Sequence, residues 1–163
     1  MNLLKMINFY PPYLGAGVKV IRSTADMRTV EVEMKLRFWN VNYVGSHFGG
    51  SLYYMVDPFF MLMLMANLGK TFTVWDKSAS IKFKKPGKGR VHAKFVITEH
   101  DLTSIREEVA QNGKAEPKFT VQILNEQNEV VAEVEKTISV RRKNESKSPQ
   151  KDSKLLKFLL PKL

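Results

Sequence analysis

Gly49-Gly50-Ser51-Leu52-Tyr53-Tyr54-Met55-Val56-Asp57-Pro58-Phe59-Phe60-Met61-Leu62-Met63-Leu64-Met65 is the run whose reading decides the fold. From Leu52 to Met65 nearly every residue is apolar, with no 3.6-residue alternation to leave a wet face, so a helix here must be covered on all sides. At 14 residues it is short of the roughly twenty needed to cross a bilayer, and no integral membrane segment is expected. One carboxylate, Asp57, sits inside it, followed by Pro58. A buried carboxylate is costly unless it is paired, protonated or employed, which makes Asp57 the main functional clue.

The surroundings of this run set its wrapper. Val30, Val32, Met34, Leu36 and Phe38 alternate with polar residues between Arg28 and Phe38, a strand with one dry face. Val18 to Ser23 is a second strand, and Ala25-Asp26 the turn between them. Asn40 to Phe48 is a loop leading to the double glycine, and Gly69 closes the helix as a left-handed cap. Thr71 to Phe83 is extended, with Trp75, Lys77, Ala79, Ile81 and Phe83 sharing one parity, and Pro86-Gly87-Lys88-Gly89 is a turn. Val91 to Ile97, Phe119 to Ile123 and Val130 to Val140 supply further strands, the last through Val130, Ala132, Val134, Ile138 and Val140, with Asn125 to Asn128 a turn. Leu102 to Gln111 is a short helix N-capped by Asp101 and stopped by Gly113. At the start, Leu3, Leu4 and Ile7 predict a short helix over residues 2–9 that Pro11-Pro12 ends.

One all-round apolar helix and about six strands imply an α+β fold in which a curved antiparallel sheet rolls around a single central helix. One sheet covers only part of that helix, so a homodimer completes the cover, and two dimers could associate as a tetramer. Residues 1–142 form one domain; 143–163 are a basic Lys/Ser/Asn-rich tail expected to be disordered.

The net charge of +10 is local: Lys82, Lys84, Lys85, Lys88, Arg90 and Lys94 contribute +6 and the stretch from Arg141 to Leu163 another +6, leaving the rest at −2. Two patches without interleaved aromatics do not favour a nucleic-acid partner. With no cysteine and only His47, His92 and His100, at no ligand spacing, no metal is expected. The first residues lack a secretory leader, and a cytoplasmic protein is expected. Ser46 does not stand in a Gly-x-Ser-x-Gly elbow, so a serine nucleophile has no support.

Several residues carry two readings each. Gly49 and Gly50 open the helix: their N–H groups could polarise a carbonyl oxygen or hold an anion at the positive end of the dipole, or the glycines could only let the helix start tightly against a strand. Asp57 could act as general base for water or nucleophile on a carbonyl carbon, or be a structural carboxylate paired with Lys77 or hydrogen-bonded across a dimer interface. Pro58 removes a helical N–H and is expected to bend the helix there. The bases around Pro86-Gly87 either meet the phosphates of a ligand or are a solvated hairpin tip. Met55, Met61, Met63 and Met65 are soft core filler that can shape an acyl pocket.

The pattern Asn42, Gly45, His47, Gly49-Gly50 and Asp57, then Ala79-Ser80-Ile81-Lys82-Phe83 and Pro86-Gly87, resembles hotdog-fold acyl-CoA thioesterases of the phenylacetyl-CoA thioesterase type. Phe48-Gly49-Gly50-Ser51-Leu52-Tyr53, Asp57-Pro58, Val74-Trp75-Asp76-Lys77 and Ser80-Ile81 are closer to a mostly bacterial hotdog branch of unassigned function. The likeness covers roughly residues 11–142. Phe48 between His47 and the glycines, and Pro58, depart from the thioesterase signature. The resemblance implies Asp57 as catalytic carboxylate, the Gly50 N–H as polariser of the thioester oxygen, and Asn42 or His47 as helpers that place water. Gly49, Ser51, Lys77, Lys82, Lys84, Lys85, Lys88 and Arg90 are the set expected to meet substrate, with CoA as part of the substrate and no separate cofactor. It also implies a dimer with sites between protomers. The alternative on the same fold is an acyl-CoA or lipid binder that leaves its ligand intact.

Overall fold

In the computed structural model, which describes residues 7–143, the alternating segments are strands of one antiparallel sheet. In chain order the elements are α1 (Pro11–Ala16), β1 (Val18–Ser23), β2 (Thr29–Lys35), α2 (Gly49–Tyr54), α3 (Phe59–Leu68), β3 (Phe72–Phe83), β4 (Arg90–Val96), α4 (Glu99–Asn112), β5 (Lys114–Ala115), β6 (Lys118–Asn125) and β7 (Val130–Arg142). The main path of the sheet runs β1-β2-β4-β6-β7-β3, with the two-residue β5 pairing β7 off it. This makes seven strands against the expected six, the addition being too short to leave a periodic signal.

β2 buries Val30, Val32 and Met34 and turns Glu31 and Glu33 outward, as its alternation requires. It stops at Lys35 rather than Phe38 because the buried Asn40 side chain folds the chain over. Its Oδ1 accepts the Arg37 N–H at 2.7 Å, and its Nδ2 donates to the carbonyls of Ala16 at 2.9 Å and Lys35 at 3.0 Å. Pro11-Pro12 begins a helix instead of only ending one, since a first-turn N–H has no acceptor to lose. The expected leading helix lies mostly outside the described residues, as does nearly all of the basic tail.

The central helix is two helices. α2 and α3 are separated at Met55–Pro58, where the Asp57-Pro58 peptide is cis and Pro58 has no N–H to continue the ladder. The anticipated bend is thus an interruption. The run Gly49–Leu68, 20 residues counted through the break, matches a membrane-crossing helix in length and composition, but half of it is buried within this fold. α3 packs Phe59, Phe60, Met63, Leu64 and Leu68 into the sheet. Phe59 meets Phe95 of β4 at 4.9 Å between ring centroids, and Phe60 stacks on Phe119 of β6 at 4.7 Å. Each side chain so covered contributes about 1.5–3 kcal/mol.

Two local features also differ from the sequence reading. Thr98, not Asp101, caps α4; its hydroxyl accepts the Asp101 N–H at 3.1 Å while the Asp101 carboxylate accepts the Thr98 N–H at 2.7 Å, a reciprocal capping box. In β3 a bulge between Asp76 and Ser78 changes the parity. Val74 and Asp76 pair opposite the buried Val140 and Ile138, and beyond the bulge Ala79 and Ile81 pair opposite Lys136 and Val134. Ala79, Ile81 and Phe83 keep their inward side, whereas Trp75 points out and Lys77 falls in the bulge.

Candidate functional site

Asp57 lies at the break between α2 and α3, pinned by its neighbours. The Tyr13 hydroxyl of α1 donates to the Asp57 backbone carbonyl, and the Tyr13 ring stacks on Phe59 at 5.9 Å. Burial, helped by the negative charge of Asp57, pushes the Tyr13 phenol far above its usual range, so it remains a donor.

The carboxylate itself meets Lys136 of β7, not Lys77. Lys136 Nζ donates to Asp57 Oδ1 and lies 3.2 Å from Asp76 Oδ1, and it sits 5.4 Å from the Tyr53 ring centroid. Lys77 is half exposed and bonds Glu116 at 2.5 Å, because the bulge turns it away from the helix. The Lys136 side chain is 1 % exposed and that of Asp57 38 %. Burial works to discharge Lys136, but the hydrogen bond and charge of Asp57, with Asp76, outweigh it and hold the ammonium above the ordinary lysine range. Burial, then the charge of Asp57, raise Asp76 against the pull of Lys136. Two carboxylates share one ammonium, so the cluster is anionic when all three are charged.

Lys136 went unnoticed in the sequence, although the signal was present. The inward set Val130, Ala132, Val134, Ile138 and Val140 has a gap at 136, and a lysine in phase with buried valines demands an acid on the facing element.

A second feature lies at the start of α2. A cleft of about 430 Å³ is lined by Asn42, Ser46, His47, Gly49, Leu52, Phe83, Lys84, Lys85, Pro86 and Gly87; Asp57 of the same chain is not among its walls. Among the described residues no side chain caps α2, and its first-turn N–H groups have no acceptor within the helix. Close packing also accounts for the glycines: a Cβ on Gly49 would stand 3.0 Å from the Phe83 ring, and one on Gly50 would collide with the Phe48 ring. Ser51 is buried and its carbonyl accepts the Met55 N–H at 3.0 Å.

Asn42 and His47 build the loop around this cleft. Asn42 Oδ1 accepts the N–H groups of Val44 and Ser46 at 3.1 and 3.0 Å, and its Nδ2 donates to Ser46 Oγ at 2.8 Å. His47 is buried; its N–H donates to Gly87 at 2.9 Å and its Nε2–H to the Gly89 carbonyl at 3.1 Å. Burial lowers its pKa although the Gly89 bond opposes this, and Nδ1 has no partner among the described residues. Of the basic set, Lys84 and Lys85 reach the cleft, Lys85 also bonding Glu129 at 2.6 Å. Arg90 pairs with Glu33 at 2.5 Å, Lys88 is exposed, and Lys82 pairs opposite Glu133 on the outer face of the sheet. Among the described residues no group of three His, Asp or Glu is placed to hold a metal.

Solved structures with this arrangement bear on the fold. The chain is similar to a Pseudomonas aeruginosa protein of unknown function, PA5026, described as a probable thioesterase: 23 % identity over 78 % of this chain and 85 % of that one, TM-score 0.68. It is similar to thioesterase HI1161 of Haemophilus influenzae at 16 % identity, covering 89 % and 92 % of the two chains, TM-score 0.66. The E. coli PaaI protein from the phenylacetic acid degradation operon matches at 17 %, covering 86 % and 91 %, TM-score 0.59. These likenesses establish the hotdog fold. No curated protein is significantly similar to the chain. A family profile described as a domain of unknown function, DUF4442, matches residues 2–140. This protein is therefore a member of the DUF4442 family, built on a hotdog fold.

Proposed function

We propose that the protein hydrolyses an acyl thioester carried on CoA, at a site completed by two copies of the chain. The observation that supports this most is the condition of Asp57, a carboxylate whose inner side meets a fully buried ammonium while its outer side stays open to solvent. Such a group is oriented by its ion pair and accessible from solvent, as a base or nucleophile must be.

In this reading the cleft at α2 of one copy receives the thioester, and Asp57 of the other faces it. A water gives its proton to Asp57 as its oxygen bonds the carbonyl carbon, and the carbonyl electron pair moves onto an oxygen held by the first N–H groups of α2. That pair returns as the C–S bond breaks, and the CoA sulfur takes the proton from Asp57, leaving a free acid and a free thiol. Direct attack by Asp57, through an anhydride that water then opens, gives the same products. Lys84 and Lys85, with Lys82 and Lys88 nearby, meet the CoA phosphates. Asn42 and His47 fix the loop, and no separate cofactor takes part. The copies pair along the open edge of β3, covering the exposed Tyr54 and Met65.

Thiol release from short-, medium- and long-chain and aromatic acyl-CoAs tests the reading, with Asp57→Asn and Asp57→Ala alongside. Loss of a general base lowers kcat by about 10²-fold or more. Equal rates in all three proteins remove Asp57 from the reaction. A second reading, a binder that leaves the thioester intact, is favoured by the hold of Lys136 on Asp57; it predicts a thermal shift with acyl-CoA and no thiol from any protein.

A further inference from the structure

Two loops at one end of the sheet combine bare aromatic side chains with unpaired bases. Phe38 is 86 % exposed, Val44 77 % and Trp39 50 %, and Tyr43 stands fully in solvent. Phe38 and Trp39 pack edge to face at 4.8 Å, and the Arg37 guanidinium lies 5.8 Å from the Trp39 ring centroid. The neighbouring loop is zipped to this one, since the Leu36 N–H donates to Gly89 at 2.7 Å and the His47 N–H to Gly87 at 2.9 Å. It adds the exposed Lys84 and Lys88 to Lys35 and Arg37. Among the described residues no carboxylate pairs with any of these four bases.

Exposed Phe, Trp, Tyr and Val beside unpaired cations have the chemistry of a lipid–water interface. Aromatic rings settle at headgroup depth while Lys and Arg meet lipid phosphates. A second copy that pairs along β3 would lie beside Lys84, which directly follows Phe83, but the Phe38 and Trp39 rings lie away from that edge. Trp39 packs near Gly17 between α1 and β1, and β2 lies four strand steps from β3, roughly 19 Å along the sheet at about 4.8 Å per step. Nor is it a core face left open, because Asn40, behind the aromatics, is buried and fully bonded.

We infer that the Arg37–Val44 loop and the Lys84–Lys88 turn form a docking surface for an anionic lipid bilayer. The cleft walls Lys84 and Lys85 belong to the same turn, so docking brings the mouth of the cleft to the lipid headgroups. The inference goes beyond the hydrolase reading and stands whether or not the cleft turns over a thioester.

Sedimentation of the full-length protein with phosphatidylcholine vesicles, with and without phosphatidylglycerol, tests it. Binding is expected only with the anionic lipid and should weaken as salt screens the contact. In a Trp75→Phe background, Trp39 emission should shift to the blue on binding. Phe38→Ser, Tyr43→Ser and Val44→Ser together should lower partitioning by at least about tenfold, and Lys35→Gln and Lys88→Gln by roughly fivefold each. Circular dichroism checks that these surface variants fold. No binding to either vesicle overturns the inference, and so does unchanged binding by the folded loop variants, which would assign the attraction to other charges. A loop variant whose mass by sedimentation equilibrium falls by half also overturns it, by giving the surface to a second copy.

Discussion

Lys136 decides what Asp57 is. A buried ammonium with one carboxylate bonded and a second at 3.2 Å tolerates the loss of no single member, because each leaves charge without a partner in low dielectric. Lys136→Met is expected to cost roughly 3–5 kcal/mol, toward the lower end since Asp57 is partly in solvent. Neutralising all three groups, as Lys136→Met with Asp57→Asn and Asp76→Asn, should restore most of that loss; urea unfolding measures both. The pH dependence follows from the same cluster. The folded Lys136 pKa is raised above its unfolded value, so its contribution is complete below the ordinary lysine range and is lost as pH climbs through the raised value. Thermal melts of the wild type should fall along that alkaline limb, and Lys136→Met should lack the Lys136 part of it.

At the scale of elements, the devices that end and start helices carry the architecture. α4 has only Leu102, Ile105 and Val109 buried, so its capping box is a large share of what holds its first turn. Thr98→Ala should cost about 1 kcal/mol, seen as a drop in Tm of roughly 2–4 °C, with any thiol release under the proposed function unchanged because α4 lies outside the candidate site. The apolar run 49–68 needs its break. Without it Asp57 would project from a continuous helix; with it, Tyr13 and Lys136 hold the residue from α1 and β7. β3 uses its bulge in the same way, exchanging the expected Lys77 for Asp76 on the inner face.

For the whole molecule, β1 and β3 are the two edges of the sheet among the described residues, and β3, 12 residues long, is the longer. Long unpaired edges invite a partner strand, and the proposed pairing of two copies answers this. Tyr54→Glu, which places a charge on the exposed flank of α2, should convert the proposed dimer to a monomer by sedimentation equilibrium and remove the proposed hydrolysis with it. A dimer that survives the change would separate the site from the Tyr54 surface.

Much of this was legible in the chain. The alternation in β2, β4, β6 and β7, the glycine stops and the helix with no wet face lead to a sheet wrapped around a helix because side-chain period and burial are local properties. The loop from Asn42 to Gly50 and the oddity of Asp57 were visible for the same reason. Which cation meets Asp57 was not. That choice depends on a one-residue bulge at Lys77, 20 positions further along, and on a β7 lysine 79 positions away, a register set only when the sheet closes. Sequence determined which residues had to be buried; tertiary structure decided who answers the buried charge, since ion pairing is a matter of distance and dielectric that no local period encodes.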